Sequence, residues 1–275
     1  MQNNDLNHHH LVQLSDPHIT QADQLAYQRV DTCAYFERAI EQIVRGAHAA
    51  DAVLITGDLT YSGQPAEYQQ LRSLLQPLRI PVYLMPGNHD DRQTLRDVFH
   101  DHAELFQTDD SIQYEIDLGQ YRLLCLDTSV PGKGHGELCG KRLHWLSEKL
   151  KLQADRPVVI AMHHPPFQTH IRSMDQMGLL AGGPELLTII SHAPQVQRLL
   201  CGHLHRPIQC LVGGVLAQTA PSTAHQIELN LFSEQKGRYN LEPPGYLLHV
   251  HTTDQPIMTH QVVIGTFDGP FAFRD

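Results

Sequence analysis

Several things are scarce in this sequence, and each scarcity removes a class of protein. The five cysteines (Cys33, Cys125, Cys139, Cys201, Cys210) are odd in number and form no Cys-x-x-Cys pair. No disulfide framework is indicated, and the cytoplasm is the expected compartment. Cys125 in "LLCLD" and Cys201 in "LLCG" lie inside apolar runs and read as small buried hydrophobes. No apolar stretch reaches the length of a membrane helix, and "MQNNDLNHHH" carries no signal-peptide core, so membrane insertion is not expected. Lysine and arginine total 20 against 30 acidic residues, a formal charge of −10 without any basic cluster. A long nucleic-acid track needs a basic footprint, so that partner class is excluded. A Gly-x-x-x-x-Gly-Lys-Ser/Thr phosphate loop and a Ser or Cys nucleophile elbow are also missing. Without internal repeats or a low-complexity linker, the 275 residues are expected to form one domain. Residues 1–225 are its core, and 226–275 a β-rich extension that serves as a cap or an oligomer contact.

What is plentiful is histidine, 20 residues, and its placement matters more than its number. Short apolar runs alternate with amphipathic ones. "LVQLSD", "AVLIT", "PVYLM", "YRLLCLD", "PVVIAM" and "QRLLCG" read as strands, several buried on both faces. Val30, Cys33, Phe36, Ile40, Ile43 and Ala47 recur at helical spacing, and "PAEYQQLRSLLQPL", "KRLHWLSEKLKLQ" and "PELLTIISHA" predict three further helices. Such alternation implies an α/β fold, and a hairpin turning at Gly119-Gln120 makes the sheets mixed. Beyond residue 222, "HQIELNLF", "GYLLHVHTT" and "IMTHQVVIG" alternate like half-buried strands. His8–His10 read as polar residues ahead of the first strand.

Five of the predicted strands end in ligand-type side chains. "SDPH" supplies Asp16 and His18, "TGDLT" Asp58, "PGNHDDR" Asn88 and His89, "HHPP" His163 and His164, and "GHLH" His203 and His205. Any one of these is ordinary: a Pro-Gly turn leading into an Asn/Asp helix cap explains "PGNHDDR" without any function. Five in order are not ordinary, because the carboxyl ends of strands in an α/β sheet form one rim where ligands bind. Asp, Asn and His are all metal-ligand types.

The ordered set D-x-H, G-D, G-N-H-D, H-H-P and G-H-x-H resembles the calcineurin-like metallophosphoesterase superfamily. Within it, "HHPP", "GHLHRPI" and "PSTAHQ" resemble bacterial cyclic-nucleotide phosphodiesterases and glycerophosphodiesterases, and "GTFDGPF" the latter. The resemblance implies a four-layer α/β/β/α sandwich of two mixed sheets flanked by helices, with the C-terminal β-rich extension added. It also implies two divalent metal ions (Fe, Mn, Zn or Co) about 3.5–4 Å apart. Asp16, His18, Asp58 and His205 would hold one ion, and Asp58, Asn88, His163 and His203 the other. The family spacing H-x-P selects His163 over His164, which is left beside the ligand or on the substrate. Two dications and a bridging hydroxide opposed by two carboxylates leave a formal charge of about +1, suited to a phosphodiester monoanion. The implied reaction is in-line attack by the metal-bridging hydroxide. Its catalytic residues are Asp58, Asn88 and His89, with His89 as phosphoryl contact or general acid. Substrate contacts are Asn88, His89, His164 and His225. "GDLTY" also matches a purple acid phosphatase pattern, but His18 already fills the tyrosine's coordination position, so Tyr61 reads as pocket wall or packing. The arginine that follows the G-D motif in Ser/Thr phosphatases is absent. Expected substrates are small phosphodiesters: cyclic nucleotides such as cAMP, with Tyr61 and Phe167 to stack a base, or glycerophosphodiesters, with His164, His225 and the tail histidines His249, His251 and His260 on the diol. A phosphomonoesterase of the same superfamily and a non-catalytic metal-binding scaffold are the alternatives, and a homo-oligomer through the extension is a further expectation.

Overall fold

A computed structural model describes residues 8–46, 50–232, 237–252 and 255–274. Ala47 of the first helical stripe, residues 1–7 and Thr253 lie outside the described residues. The first half of the chain supplies β1 (His8–Leu14), α1 (Thr32–Arg45), β2 (Ala52–Thr56), α2 (Pro65–Leu75), β3 (Val82–Met85), α3 (Arg92–Val98), β4 (Tyr114–Asp117) and β5 (Arg122–Leu126). There follow β6 (Gly136–Glu137), α4 (Gly140–Lys151), β7 (Val158–Met162), α5 (Arg172–Asp175), β8 (Leu179–Ala181), α6 (Gly183–Ser191) and β9 (Val196–Cys201). The chain continues with β10 (Gln209–Val212), β11 (Val215–Thr219), β12 (Gln226–Ile227), β13 (Tyr239–Asn240), β14 (Gly245–Thr252) and β15 (Met258–Val263).

Two large mixed sheets result. One has the order β15-β14-β1-β2-β3, with β1, β2 and β3 parallel and β14 antiparallel to both β1 and β15. The other has the order β10-β11-β9-β7-β5-β4, parallel from β11 to β5 with an antiparallel strand at each edge. Alternation along the second sheet sorts its side chains. Leu123, Cys125, Val159, Ala161 and Leu200 join the core shared with the first sheet, while Leu124, Leu126, Ile160, Met162 and Leu199 pack under Leu146 of α4 and Ile190 of α6. Helices α1, α2 and α3 cover the first sheet through Phe36, Ile40, Tyr68, Leu71 and Leu95. The layers are therefore α/β/β/α, as expected. Burial of each large apolar side chain contributes about 1.5–3 kcal/mol.

Local chemistry sets the helix starts. Asp31 accepts from Ala34 N at 2.9 Å ahead of α1, Gln64 and Glu67 form a capping box with Pro65 opening α2, and Asp91 accepts from Thr94 N at 2.8 Å ahead of α3. Some details differ from the sequence reading. His8–His10 are not a prelude: they pair with β14 as part of β1. Of "HQIELNLF" only Gln226–Ile227 is strand. Helix α3, too short to show a period, follows the cap that the ordinary reading of "PGNHDDR" offers, whereas the β10–β11 hairpin around Gly213-Gly214 was not expected. Strands β14 and β15 belong to the first sheet, where β14 lies in its interior against β1.

Candidate metal centre

The carboxyl ends of β1, β2, β3, β7 and β9 meet where the two sheets converge. Backbone bonds tie the loops together: Asp16 N donates to Gly57 O (3.1 Å), His18 N to Asp58 O (3.0 Å) and Gly202 N to His163 O (3.0 Å). Across the sheets, His203 N donates to both oxygens of Asp16 at 3.1 Å. Asp16, His18, Asp58, His203 and His205 all adopt left-handed backbone, with φ of 50°, 46°, 49°, 70° and 48°. Each such non-glycine residue costs about 1–3 kcal/mol and persists only where its surroundings over-determine it. Crowding explains the glycines of the motifs. A Cβ on Gly57 would fall on the His163 ring, and one on Gly87 would fall on Asp58 Oδ1.

The candidate ligand atoms form two groups joined by one carboxylate. In the first, ligand atoms of Asp16, His18, Asp58 and His205 lie within 4.8 Å of one another. His18 Nε2 is 3.1 Å from His205 Nε2 and 3.6 Å from Asp58 Oδ2, and His205 Nε2 is 3.4 Å from Asp16 Oδ1. In the second, His163 Nε2 is 3.4 Å from Asp58 Oδ1 and 3.2 Å from Asn88 Oδ1. Ligands about 2.1 Å from a tetrahedral cation stand about 3.4 Å apart, so these spacings fit a coordination shell. His163 Nδ1 donates to Thr56 O (2.8 Å) and His205 Nδ1 to His225 O (3.0 Å), which turns both Nε2 atoms inward. His203 Nε2 is buried without any partner. No ion pair among the described residues links Asp16 or Asp58 to lysine or arginine. Burial pushes His203 down to about 3 and holds His18 well below its usual range, so both present the neutral ring that a cation requires. Burial also raises Asp16, and it opposes the charge on Asp58, whose carboxyl the His163 and His89 rings nonetheless hold well below normal. His163 is lifted to about 9 by Asp58 against the burial that would lower it. The residues present fit a pair of divalent cations.

The four polar residues of "GNHDD" have four different surroundings. Asn88 joins the second group. His89 N donates to Asp58 Oδ1 (2.9 Å), and its Nδ1 donates to Tyr61 O (2.7 Å), so Nε2 is the ring atom left for a ligand. Asp90 accepts from Leu59 N, Thr60 N, Thr60 Oγ1, Gly87 N and the Tyr68 hydroxyl, bracing the β2 loop against the β3 loop. Asp91 is the helix cap already noted.

The remaining candidates spread out. His164 packs against His203 with the rings tilted at 48° and 4.5 Å between centroids, its Nδ1 bonded to Thr128 Oγ1 (2.8 Å) and Nε2 to Gly134 O (3.3 Å). One of its nitrogens lies within 4.8 Å of those of His163 and His203, but both are already engaged. His225 packs against His18 and His205 with neither ring nitrogen bonded, and burial holds it down to about 2. Tyr61 packs edge-on against Tyr27 (5.3 Å), and Tyr27 contacts His225 (5.1 Å) and Tyr239 (4.8 Å). This tyrosine wall escaped sequence reasoning because Tyr27 lies in a loop and Tyr239 in a two-residue strand 212 positions away. Phe167 packs with Ile171, Met174 and Leu204. Of the tail histidines, His249 is bonded to Gln13 and His251 to Gln120, and His260 is exposed on β15, so none joins the cluster.

Comparison with known proteins agrees with this geometry. The family profile described as calcineurin-like phosphoesterase matches residues 9–207. A probable glycerophosphodiester phosphodiesterase of Arcobacter nitrofigilis is 35% identical over 96% of this chain and 96% of its own. A probable cyclic nucleotide phosphodiesterase of Rhodopseudomonas palustris is 33% identical over 96% of both, and the 3′,5′-cyclic adenosine monophosphate phosphodiesterase of Pseudomonas aeruginosa 29% over 86% and 83%. Among solved structures, a dimetal phosphatase from Danio rerio superposes with a TM-score of 0.64 at 14% identity, covering 94% of this chain and 99% of that one. That likeness concerns the fold.

Proposed function

The chain belongs to the calcineurin-like phosphoesterase family, and from that membership we propose that it is a two-cation hydrolase of small phosphodiesters, 3′,5′-cyclic nucleotides and glycerophosphodiesters. The observation that carries the reading is the division of Asp58, one oxygen toward His18 and the other toward His163. A carboxylate can serve two cations in this way; a neutral imidazole, with one nitrogen lone pair, cannot. Cations held by Asp16, His18, Asp58 and His205 and by Asp58, Asn88, His163 and His203 would supply an activated water and charge to oppose the phosphoryl oxygens. Fe, Mn, Zn and Co all suit such mixed nitrogen and oxygen ligands.

The chain's own residues do the rest. His89, held at Nδ1 by the Tyr61 carbonyl, turns Nε2 to the phosphoryl group and donates a proton to the leaving alkoxide. His225, with two unpartnered ring nitrogens beside His18 and His205, offers a second donor to the phosphate or leaving group. Tyr27, Tyr61 and Tyr239 stand on that side and give the ester substituent an aromatic wall. His164 steadies His203 by packing against its ring. Cytoplasmic residence belongs to the same proposal and rests on five free cysteines; no helix among the described residues is long and apolar enough to cross a membrane. So does self-association through the C-terminal extension, supported by the exposed Met258 and Val263 on edge strand β15 and by Phe271 and Phe273 beyond it. Residues 226–275 are taken as part of the same domain as 1–225.

The test is a set of kcat/KM values for 3′,5′-cAMP, glycerophosphoethanolamine and a phosphomonoester on metal-reconstituted protein. Both diesters should exceed the monoester. A monoester favoured by more than about tenfold, a difference of ~1.4 kcal/mol, would overturn the reading.

A further inference from the structure

Between the two sheets runs a chain of buried polar side chains that the proposed reaction does not use. Thr259 Oγ1 on β15 lies 2.9 Å from His249 Nδ1 on β14, and His249 Nε2 lies 3.0 Å from Gln13 Oε1 on β1. Gln13 Nε2 is 3.1 Å from Thr56 Oγ1, Thr56 Oγ1 is 2.8 Å from Ser15 Oγ, and Ser15 Oγ is 2.5 Å from Asp16 Oδ2. His249 is 3% exposed, and Gln13, Thr56, Ser15 and Asp16 are not exposed at all.

The direction of donation follows from the partners. Gln13 Nε2 also lies 2.9 Å from the Cys201 carbonyl, which can only accept, so the amide oxygen must face His249. His249 therefore carries its proton on Nε2 and accepts at Nδ1 from Thr259. Ser15 gives its one proton to the Asp16 carboxylate, so Thr56 donates to Ser15 Oγ, sharing that proton with the Leu14 carbonyl at 3.3 Å, and each group on the path donates toward Asp16. Aligned donors polarise one another, and the last bond ends on a carboxylate, where such bonds are strongest. Thr56 also accepts His163 Nδ1 on its carbonyl at 2.8 Å, so the middle of the chain touches both ligand groups.

We propose that His249 and Gln13 are positioning residues for the metal centre: the chain from Thr259 to Ser15 holds Asp16 Oδ2 and presents Oδ1, 3.4 Å from His205 Nε2, as the ligand atom. The proposal rests on the two-cation reading only in requiring cations at the cluster. It gives β14, which lies more than 200 residues after β1, a part in shaping the site.

The test is cation affinity, measured on the full chain after chelator stripping by Co²⁺ and Zn²⁺ titration against a chromophoric competitor, with the Co²⁺ absorption spectrum recorded. His249→Leu leaves Gln13 Oε1 unpaired and should weaken the tighter site about 10-fold and shift the spectrum. His249→Gln, able to donate to Gln13 and accept from Thr259, should restore both. Gln13→Leu should cost about as much, and the double variant Gln13→Leu/His249→Leu little more than either alone, because both break one chain. Thr259→Val is nearly isosteric and is the variant to read if His249→Leu does not fold; about 3-fold weaker binding is expected. Unchanged affinity and spectrum in folded His249→Leu or Thr259→Val, fully additive losses, or no rescue by His249→Gln would each overturn the proposal. Wild-type protein that binds no divalent cation would overturn the two-cation reading as well, which separates the two failures.

Discussion

The group formed by Asp16, His18 and His205 and the group formed by Asn88, His163 and His203 share Asp58 but differ in charge and in backbone. The first adds a second carboxylate, whereas the second adds only a neutral amide and two imidazoles. All four residues of the first group are left-handed, but in the second only Asp58 and His203 are. The first is thus the more negative and the more strained, the expected build of a tight, structurally committed site. In the two-cation reading the second would hold its cation less tightly, while the His89 ring packs edge-on against His18 of the first at 4.6 Å between centroids. If two cations are held as proposed, one carboxylate would join a retaining half to a more exchangeable one.

Asp58→Ala breaks the comparison outright, because both groups lose their common member. Near-total loss of bis(p-nitrophenyl) phosphate turnover and of both cations by elemental analysis is expected; an active, cation-loaded variant would contradict the shared role. Next in size is His89→Ala. It should keep both cations yet slow turnover by roughly 10²–10⁴-fold, the usual loss of acid–base help. The deficit should shrink for esters with good leaving groups, which need no proton, and loss of a cation from this variant would show His89 to be a ligand. Asn88→Asp sharpens the comparison by making the two halves more alike. One added negative charge should tighten the second cation about tenfold, ~1.4 kcal/mol, and lower turnover of anionic diesters, as read from paired metal titration and kinetics.

The smallest effect sets the rim against the interior. Burial pushes His249 down to about 3, while an unfolded histidine titrates near 6.5. Between those values the unfolded chain takes a proton that the folded chain refuses, so folding stability is lost as pH falls. The slope from this one residue is at most about 1.4 kcal/mol per pH unit. Denaturation of metal-free protein at pH 7, 6 and 5 should show His249→Gln with a flatter decline than wild type. Identical slopes would mean that His249 is charged in the folded state.

The candidate ligand residues were legible because each sits directly after an apolar strand, and strand order alone delivers them to one edge. "GNHDD" was legible in part. Asn88 and His89 announce themselves by type, and Asp91 is the helix cap that the ordinary reading of the motif suggests. Asp90 could not be read, since its five donors come from Leu59, Thr60, Gly87 and Tyr68, a set visible only once two loops are packed together. Gln13 and His249 were hidden for a related reason. A polar residue in an alternating strand is expected to face solvent, and here both faces of β1 and β14 are covered. The four-layer architecture came through the resemblance, whereas the alternation alone yields only mixed α/β. The β10–β11 hairpin had a signal in Gly213-Gly214, whose φ values of 55° and 84° suit a tight turn.

The left-handed backbone at Asp16, His18, Asp58, His203 and His205 also bears on how such a chain would drift over generations. While cations are held, these five side chains justify their strain. A lineage that gave up the cations would keep the strain with no compensating contact. Glycine or asparagine would then be favoured at each position, relieving about 1–3 kcal/mol of conformational energy, less the ~0.5–1 kcal/mol that glycine's freedom costs on folding. Each such step would make the empty protein sturdier and the return of the ligand less favourable. Loss of the centre would act as a ratchet, and the residue types at these five positions would record on which side of it a descendant stands.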